Sequence, residues 1–202
     1  MRQVSKFFAI AFAAIIMTAA ASAGEPQTME GSKCLFFGFS GLSTLSVDNS
    51  TIGVQYLFAD RQGIWADLSF GFGTSKPSEN ADETKTTAIG FDIGYIWYIF
   101  QKGPVACYLS PQFGIMTDSK KYKVSSNDVT ESNMSFAVGV SLGAEWWFAD
   151  NVSLATSAFL GFTSTTNTVE VGSNKTEGTN TQIGISSGEG TGGATLTLSF
   201  YF

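Results

Sequence analysis

The chain has 202 residues, among them 18 Phe and 22 Gly, with only 14% charged residues and no histidine. Its 17 acidic residues outnumber 11 basic ones for a net charge of −6, and the basic residues form no strong cluster, which argues against a nucleic-acid binder held by phosphate contacts. Lack of histidine removes the usual proton-transfer group at neutral pH, so Ser–His and Asp–His catalysis is excluded, zinc is not expected, and the chain reads as a non-enzyme without cofactor.

The first residues read as an export signal. Arg2 and Lys6 lead into an apolar run over 7–17, followed by the small-residue cleavage site Ala21-Ser22-Ala23. The run is too short for a membrane-crossing helix, so residues 1–23 are predicted to be a cleaved signal peptide. The expected mature chain, 24–202, is one domain whose 17 acidic and nine remaining basic residues give a net charge of −8. No lipobox precedes Cys34, and no later stretch reaches the length of a transmembrane helix. A secreted β-protein or a β-barrel membrane protein remains.

Eight segments then show strand character, most of them through alternation of period two. Weaker runs at 33–46 and 51–58 come first. Ile64, Ala66, Leu68, Phe70 and Phe72 alternate with Trp65, Asp67, Ser69 and Gly71; Ile89, Phe91, Ile93, Tyr95 and Trp97 alternate with Gly90, Asp92 and Gly94. A weak run at 105–116 contains Pro111, which implies a bulge or local break. The clearest run follows: Met134, Phe136, Val138, Val140, Leu142, Ala144 and Trp146 are apolar, while the residues between them, through Glu145, are small or polar. Residues 152–162 and 194–202 repeat the pattern, although 184–193 is glycine-rich, so the last strand is expected to begin near Gly190 with 181–187 extending the preceding loop.

Short connections (59–63, 101–104, 149–151) alternate with long polar ones (74–86, 117–133, 164–181), and 48–50 is the one short link on the second side. An up-and-down barrel with tight turns at one end and long loops at the other has this rhythm. Trp65, Trp97, Trp146, Trp147, Tyr98, Phe100, Phe148, Tyr201 and Phe202 all fall near the short turns, as an aromatic girdle at a membrane boundary would. Phe70, Phe72, Phe162, Met134 and Phe136 suggest a thinner belt at the opposite end. One strand face is too apolar for water and the other too small and polar for a dry core. That inside-out pattern favours a membrane barrel over a soluble, lipocalin-like one.

The chain resembles the small eight-stranded outer-membrane barrels, typified by the OmpA barrel domain, OmpX and opacity-type surface proteins. The likeness is most specific at the end, where Leu196, Leu198, Phe200 and Phe202 alternate up to a terminal Phe. The resemblance implies an all-β, eight-stranded antiparallel transmembrane barrel in the bacterial outer membrane, surrounded by its lipid. It also implies that these four residues form a signal for the barrel-insertion machinery. It further implies a structural or surface-exposed role, with loop-mediated contact to host or neighbouring-cell molecules. A narrow, weakly cation-preferring, porin-like channel is the alternative.

The remaining motifs are weaker. Residues 188–193 fit GxGxxG but lack the flanking strand and helix of a phosphate site, and read as a loop. Cys34 and Cys107 are assigned to the first and fifth strands, inward and outward, and are not expected to bond. Strand parity places Asp67, Asp92, Glu145 and Glu189 in the lumen without inward Lys or Arg. These acids are expected either to be hydrated, which would suit cation selection, or to hydrogen-bond Tyr108, Ser69 or Ser141. Parity also makes Val138→Arg costly and Gly139→Ser mild.

Overall fold

In the computed structural model, residues 24–40, 50–75, 84–124, 127–172, 174–186 and 195–202 are described. They form nine strands: β1 (Lys33–Ser40), β2 (Ser50–Ala59), β3 (Gln62–Ser75), β4 (Thr84–Lys102), β5 (Val105–Val124), β6 (Asn127–Ala149), β7 (Val152–Val171), β8 (Asn174–Ser186) and β9 (Thr195–Tyr201). Every pairing is antiparallel. β1 to β7 pair in sequence, and β9 closes the ring between β7 and β1. β8 pairs with the upper part of β7 and β9 with its lower part, so both occupy the eighth position of the barrel. Closure leaves no open edge around the lower barrel, the requirement for backbone polar groups in hydrocarbon.

The side chains follow the predicted parity. On β6, Met134, Phe136, Val138, Val140 and Leu142 are exposed on the outer face, while Ser141, Gly143 and Glu145 are buried inside. The same division holds on β3, where Ile64, Leu68, Phe70 and Phe72 face outward, and on β4 with Ile89, Phe91, Ile93 and Trp97. This outward belt of large apolar side chains makes the fold an outer-membrane-type barrel, with an apolar outside and a mixed, largely polar inside. The belt at the far end is present too, with Phe136 packed on Phe162 at 5.7 Å between ring centres.

Two expectations about the ends of the strands are corrected. The polar stretches 117–133 and 164–181 are not simple loops. β5 and β6 remain paired up to Val124↔Asn127, and β7 and β8 up to Val171↔Asn174, with Gly172 at φ 59° in the second turn. Residues 181–186 likewise pair with 159–164 rather than extending a loop. Alternation of hydrophobicity needs apolar surroundings on one side only. Past the belt, where Val129 alone of the apolar side chains is fully buried among the described residues, neither face of the hairpins meets lipid, so Thr-rich strands such as Thr165–Thr168 persist without an amphipathic signal. Residues 41–46 of the first predicted strand, most of 74–86, and residues 187–194 lie outside the described residues.

Pro111 produces a local break. The β4–β5 ladder is interrupted between Gly94↔Gln112 and Trp97↔Leu109 and resumes in the same register, while Pro111 still stands opposite Val140 on β6. Register shifts sit instead at the short turns, at Leu57/Ala59, Tyr98/Phe100 and Trp147/Ala149. Beneath these turns residues 24–32 form a strap. The backbone of Gly31 donates to Leu57 (2.7 Å), Arg61 donates to Thr28 (2.7 Å), and Thr28 Oγ1 donates to Gln101 Oε1 (2.9 Å).

Candidate functional site: the barrel interior

The aromatic girdle at the short-turn end divides in two. Trp97, Phe100, Phe148 and Phe202 are exposed on the outside and Trp146 is half-buried, as expected of a girdle. Tyr98, Trp147 and Tyr201 instead point inward and are almost wholly buried, and Trp65 packs against them. Position near a turn does not decide orientation; parity does. Trp65 alternates with Ile64 and Ala66 and so faces in, Tyr98 shares the phase of Asp92, and Trp147 that of Glu145. Leu57, Ile96 and Tyr108 complete this apolar plug at the base of the lumen. Its rings meet edge-on or tilted, with Tyr98 5.9 Å from Tyr108 and 6.0 Å from Trp147.

Glu145 is seated in the plug. Tyr98 Oη donates to Glu145 Oε2 at 2.7 Å and Tyr201 Oη donates to Oε1 at 2.7 Å, while Ser153 Oγ also donates to Oε1. Gln55 Nε2 in turn donates to Tyr98 Oη at 3.2 Å. These hydroxyls replace the water that a buried carboxyl group requires. The sequence-based partners Tyr108, Ser69 and Ser141 are not among those bonds. Ser141 Oγ donates to Gln112 Oε1 at 2.9 Å, and Ser110 Oγ accepts from Trp65 Nε1 at 2.8 Å.

Above the plug lies a cavity of about 540 Å³. Asp67, Asp92, Asp118 and Glu145 line it, together with Gln112 and Asn133, and among the described residues no Lys or Arg does. Asp67 and Asp92 stand directly opposite each other on β3 and β4. Asp118, nearer the long hairpins, accepts from Asn133 Nδ2 at 2.8 Å. The barrel therefore brings Asp67 and Asp92 together and separates them from Glu145; Glu189 lies outside the described residues. Leu196, Leu198, Phe200 and Phe202 form the closing strand and its end, with Phe200 edge-on to Phe37 at 6.2 Å. Cys34 is buried inside, Cys107 is half-exposed, and both thiols are free.

The hairpins carry exposed charged pairs. Lys175 and Glu177 form an ion pair at 2.7 Å, and Lys123 and Asp128 approach to 3.8 Å. Tyr122 Oη donates to Glu131 Oε1 at 2.5 Å, a bond to a carboxylate that holds the phenol above its ordinary pKa. Lys120 lies over the Tyr122 ring at 5.3 Å.

No protein-family model matches the chain, and no curated protein is similar to it in sequence. Solved structures similar in fold at low identity include the following. Ail, the attachment invasion locus protein of Yersinia pestis, is 13% identical over 86% of this chain and 100% of its own, with a TM-score of 0.45. A major outer membrane protein from Thermus thermophilus is 13% identical over 85% of this chain and 99% of its own, with a TM-score of 0.46. The N-terminal β-barrel domain of Pseudomonas aeruginosa OprF is 11% identical over 87% of this chain and 100% of its own, with a TM-score of 0.38.

Proposed function

We propose that the chain is a non-enzymatic outer-membrane barrel that holds two stiff β-hairpins above the membrane as a contact surface for molecules on a host or neighbouring cell. The observation that carries this reading is the continuation of β5–β6 and β7–β8 past the apolar belt. From Phe162 to Val171 on β7, and from Met134 back to Asn127 on β6, paired strand runs on for roughly 20–30 Å at about 3.3 Å per residue. Every side chain from Asn174 to Gly184 is exposed. A barrel needs no such height to close, and a pre-formed hairpin offers binding surface with little ordering cost.

The channel reading has the acid-lined cavity in its favour. Against it stand the buried rings of Tyr98, Trp147 and Tyr201 across the short-turn end. On the present reading the protein conducts no steady ion current.

The test replaces 120–131 and 167–178 by two-residue turns and measures attachment of expressing bacteria to host or partner cells, with folding followed by heat-modifiable gel migration. Loss of attachment with the barrel still folded supports the reading. Attachment unchanged in the trimmed barrel overturns it, and steady cation-selective conductance of the trimmed barrel in planar bilayers would establish the channel instead.

A further inference from the structure

We propose that Asp67, Asp92 and Ser69 form a binding site for a hard divalent cation of the calcium class inside the barrel. The inference does not depend on what the hairpins contact. Asp67 and Asp92 are register partners on adjacent strands, both facing inward and both 8% exposed. Side chains directly opposed in an antiparallel pair have Cβ atoms about 4.5–5.5 Å apart. That spacing lets two carboxylates share one ion with oxygen ligands at about 2.3–2.6 Å.

The second observation is independent of the acids. Ser69 occupies the next inward position on β3 and is 6% exposed, and its Oγ has no hydrogen-bond partner. Buried hydroxyls are rarely left so. Ser69 lines the same cavity as the two carboxylates. Its Oγ lies over Gly90 on β4, where any Cβ would collide with it, and the Asp92 carboxylate lies over Gly114 on β5 in the same way. The two glycines leave room on the inner wall for the Ser69 hydroxyl over β4 and for the Asp92 carboxylate over β5.

The chemistry of the donors selects the ion. Two carboxylates and a hydroxyl are hard oxygen ligands, and the wall positions beside them, Gly90, Gly114 and Met116, bring no imidazole or thiolate. Such a set favours calcium or magnesium over zinc or copper. The cavity around the pair has room for water to complete a coordination shell of about 6–8 oxygens, the number calcium takes.

Terbium(III), a luminescent substitute for calcium, tests the site on the whole mature chain folded in detergent micelles. Trp65 stands two residues from Asp67 on the same inner face, so an ion held there is excited through the indole. The expected result is sensitised emission that saturates at one ion per chain and is displaced by calcium. Asp67→Asn and Asp92→Asn should each weaken binding by about tenfold or more, because ligand charge tunes calcium affinity. Gly114→Ala should do the same while keeping both carboxylates, and Asp118→Asn should leave affinity nearly unchanged. Heat-modifiable migration identifies the folded variants. Trp65→Phe, which alters no ligand, should cut the emission severalfold while calorimetry returns the same affinity. The proposal is overturned if the folded chain gives no saturable emission, if folded Asp92→Asn binds as tightly, or if full emission survives Trp65→Phe.

Discussion

Placing one arginine on either side of the β6 wall should give opposite results one residue apart. Val138 faces outward at 49% exposure, opposite Phe113 on β5 and Phe162 on β7. The outward apolar row of β6 runs from Met134 to Trp146, so its centre falls at Val140. With a strand rise of about 3.4 Å and a tilt of about 40°, Val138 lies roughly 5 Å from mid-membrane. An arginine costs about 2–4 kcal/mol at the midplane and less towards the interface. Val138→Arg should therefore cost about 2 kcal/mol, near a thirtyfold shift in the folding equilibrium. Ala137 points into the cavity, on the layer of Asp92 and Gly114. A guanidinium there reaches water and acidic side chains, so Ala137→Arg should cost less than about 1 kcal/mol. Reversible urea unfolding in short-chain lipid vesicles, followed by tryptophan emission, measures both. Equal costs at the two positions, or the larger cost at Ala137, would refute the orientation.

Tyr98→Phe and Tyr201→Phe each remove one donor from Glu145 and should cost about 1–3 kcal/mol in the same assay, with the double variant departing from additivity because both share one carboxyl group. Gly139→Ser, mild by parity alone, should instead destabilise by about 1–3 kcal/mol or displace the wall, since a Cβ at Gly139 collides with the Leu160 carbonyl and crowds Gly161 and Phe159. At the hairpin tip, Lys175 holds Glu177 below the ordinary carboxylate pKa through its hydrogen bond and charge. A depressed folded-state pKa means that the pair's contribution is present above the ordinary carboxylate range and is lost as pH falls through the lowered value. NMR titration should show that midpoint return upward in Lys175→Ala; an unchanged midpoint would contradict the pairing.

The barrel was legible because lipid imposes a rule on every other residue. Met134 to Trp146 and Ile64 to Phe72 state that rule without ambiguity, and the orientation of Asp67, Asp92 and Glu145 follows from it. Where the environment is the same on both faces the rule falls silent, and the paired strands 165–171 and 174–181 look like loop. Tyr98, Trp147 and Tyr201 were legible in principle, because their parity agrees with their burial. Their closeness to the turns suggested a girdle, and that weaker cue pointed the wrong way. The bonds of Glu145 were not legible. They join β6 to β4, β7 and β9, and depend on the shear of the closed barrel, which fixes which inward residues share a level.

The inside-out wall itself is tested most directly by spin labels placed singly at 136–138 and 140–142, in a background lacking Cys34 and Cys107, with the barrel in lipid vesicles. Oxygen concentrates in the bilayer and a charged nickel chelate does not. Labels at 136, 138, 140 and 142 should relax strongly with oxygen, and those at 137 and 141 should not. A flat profile, or one with the opposite phase, would contradict a barrel that turns its large side chains to lipid.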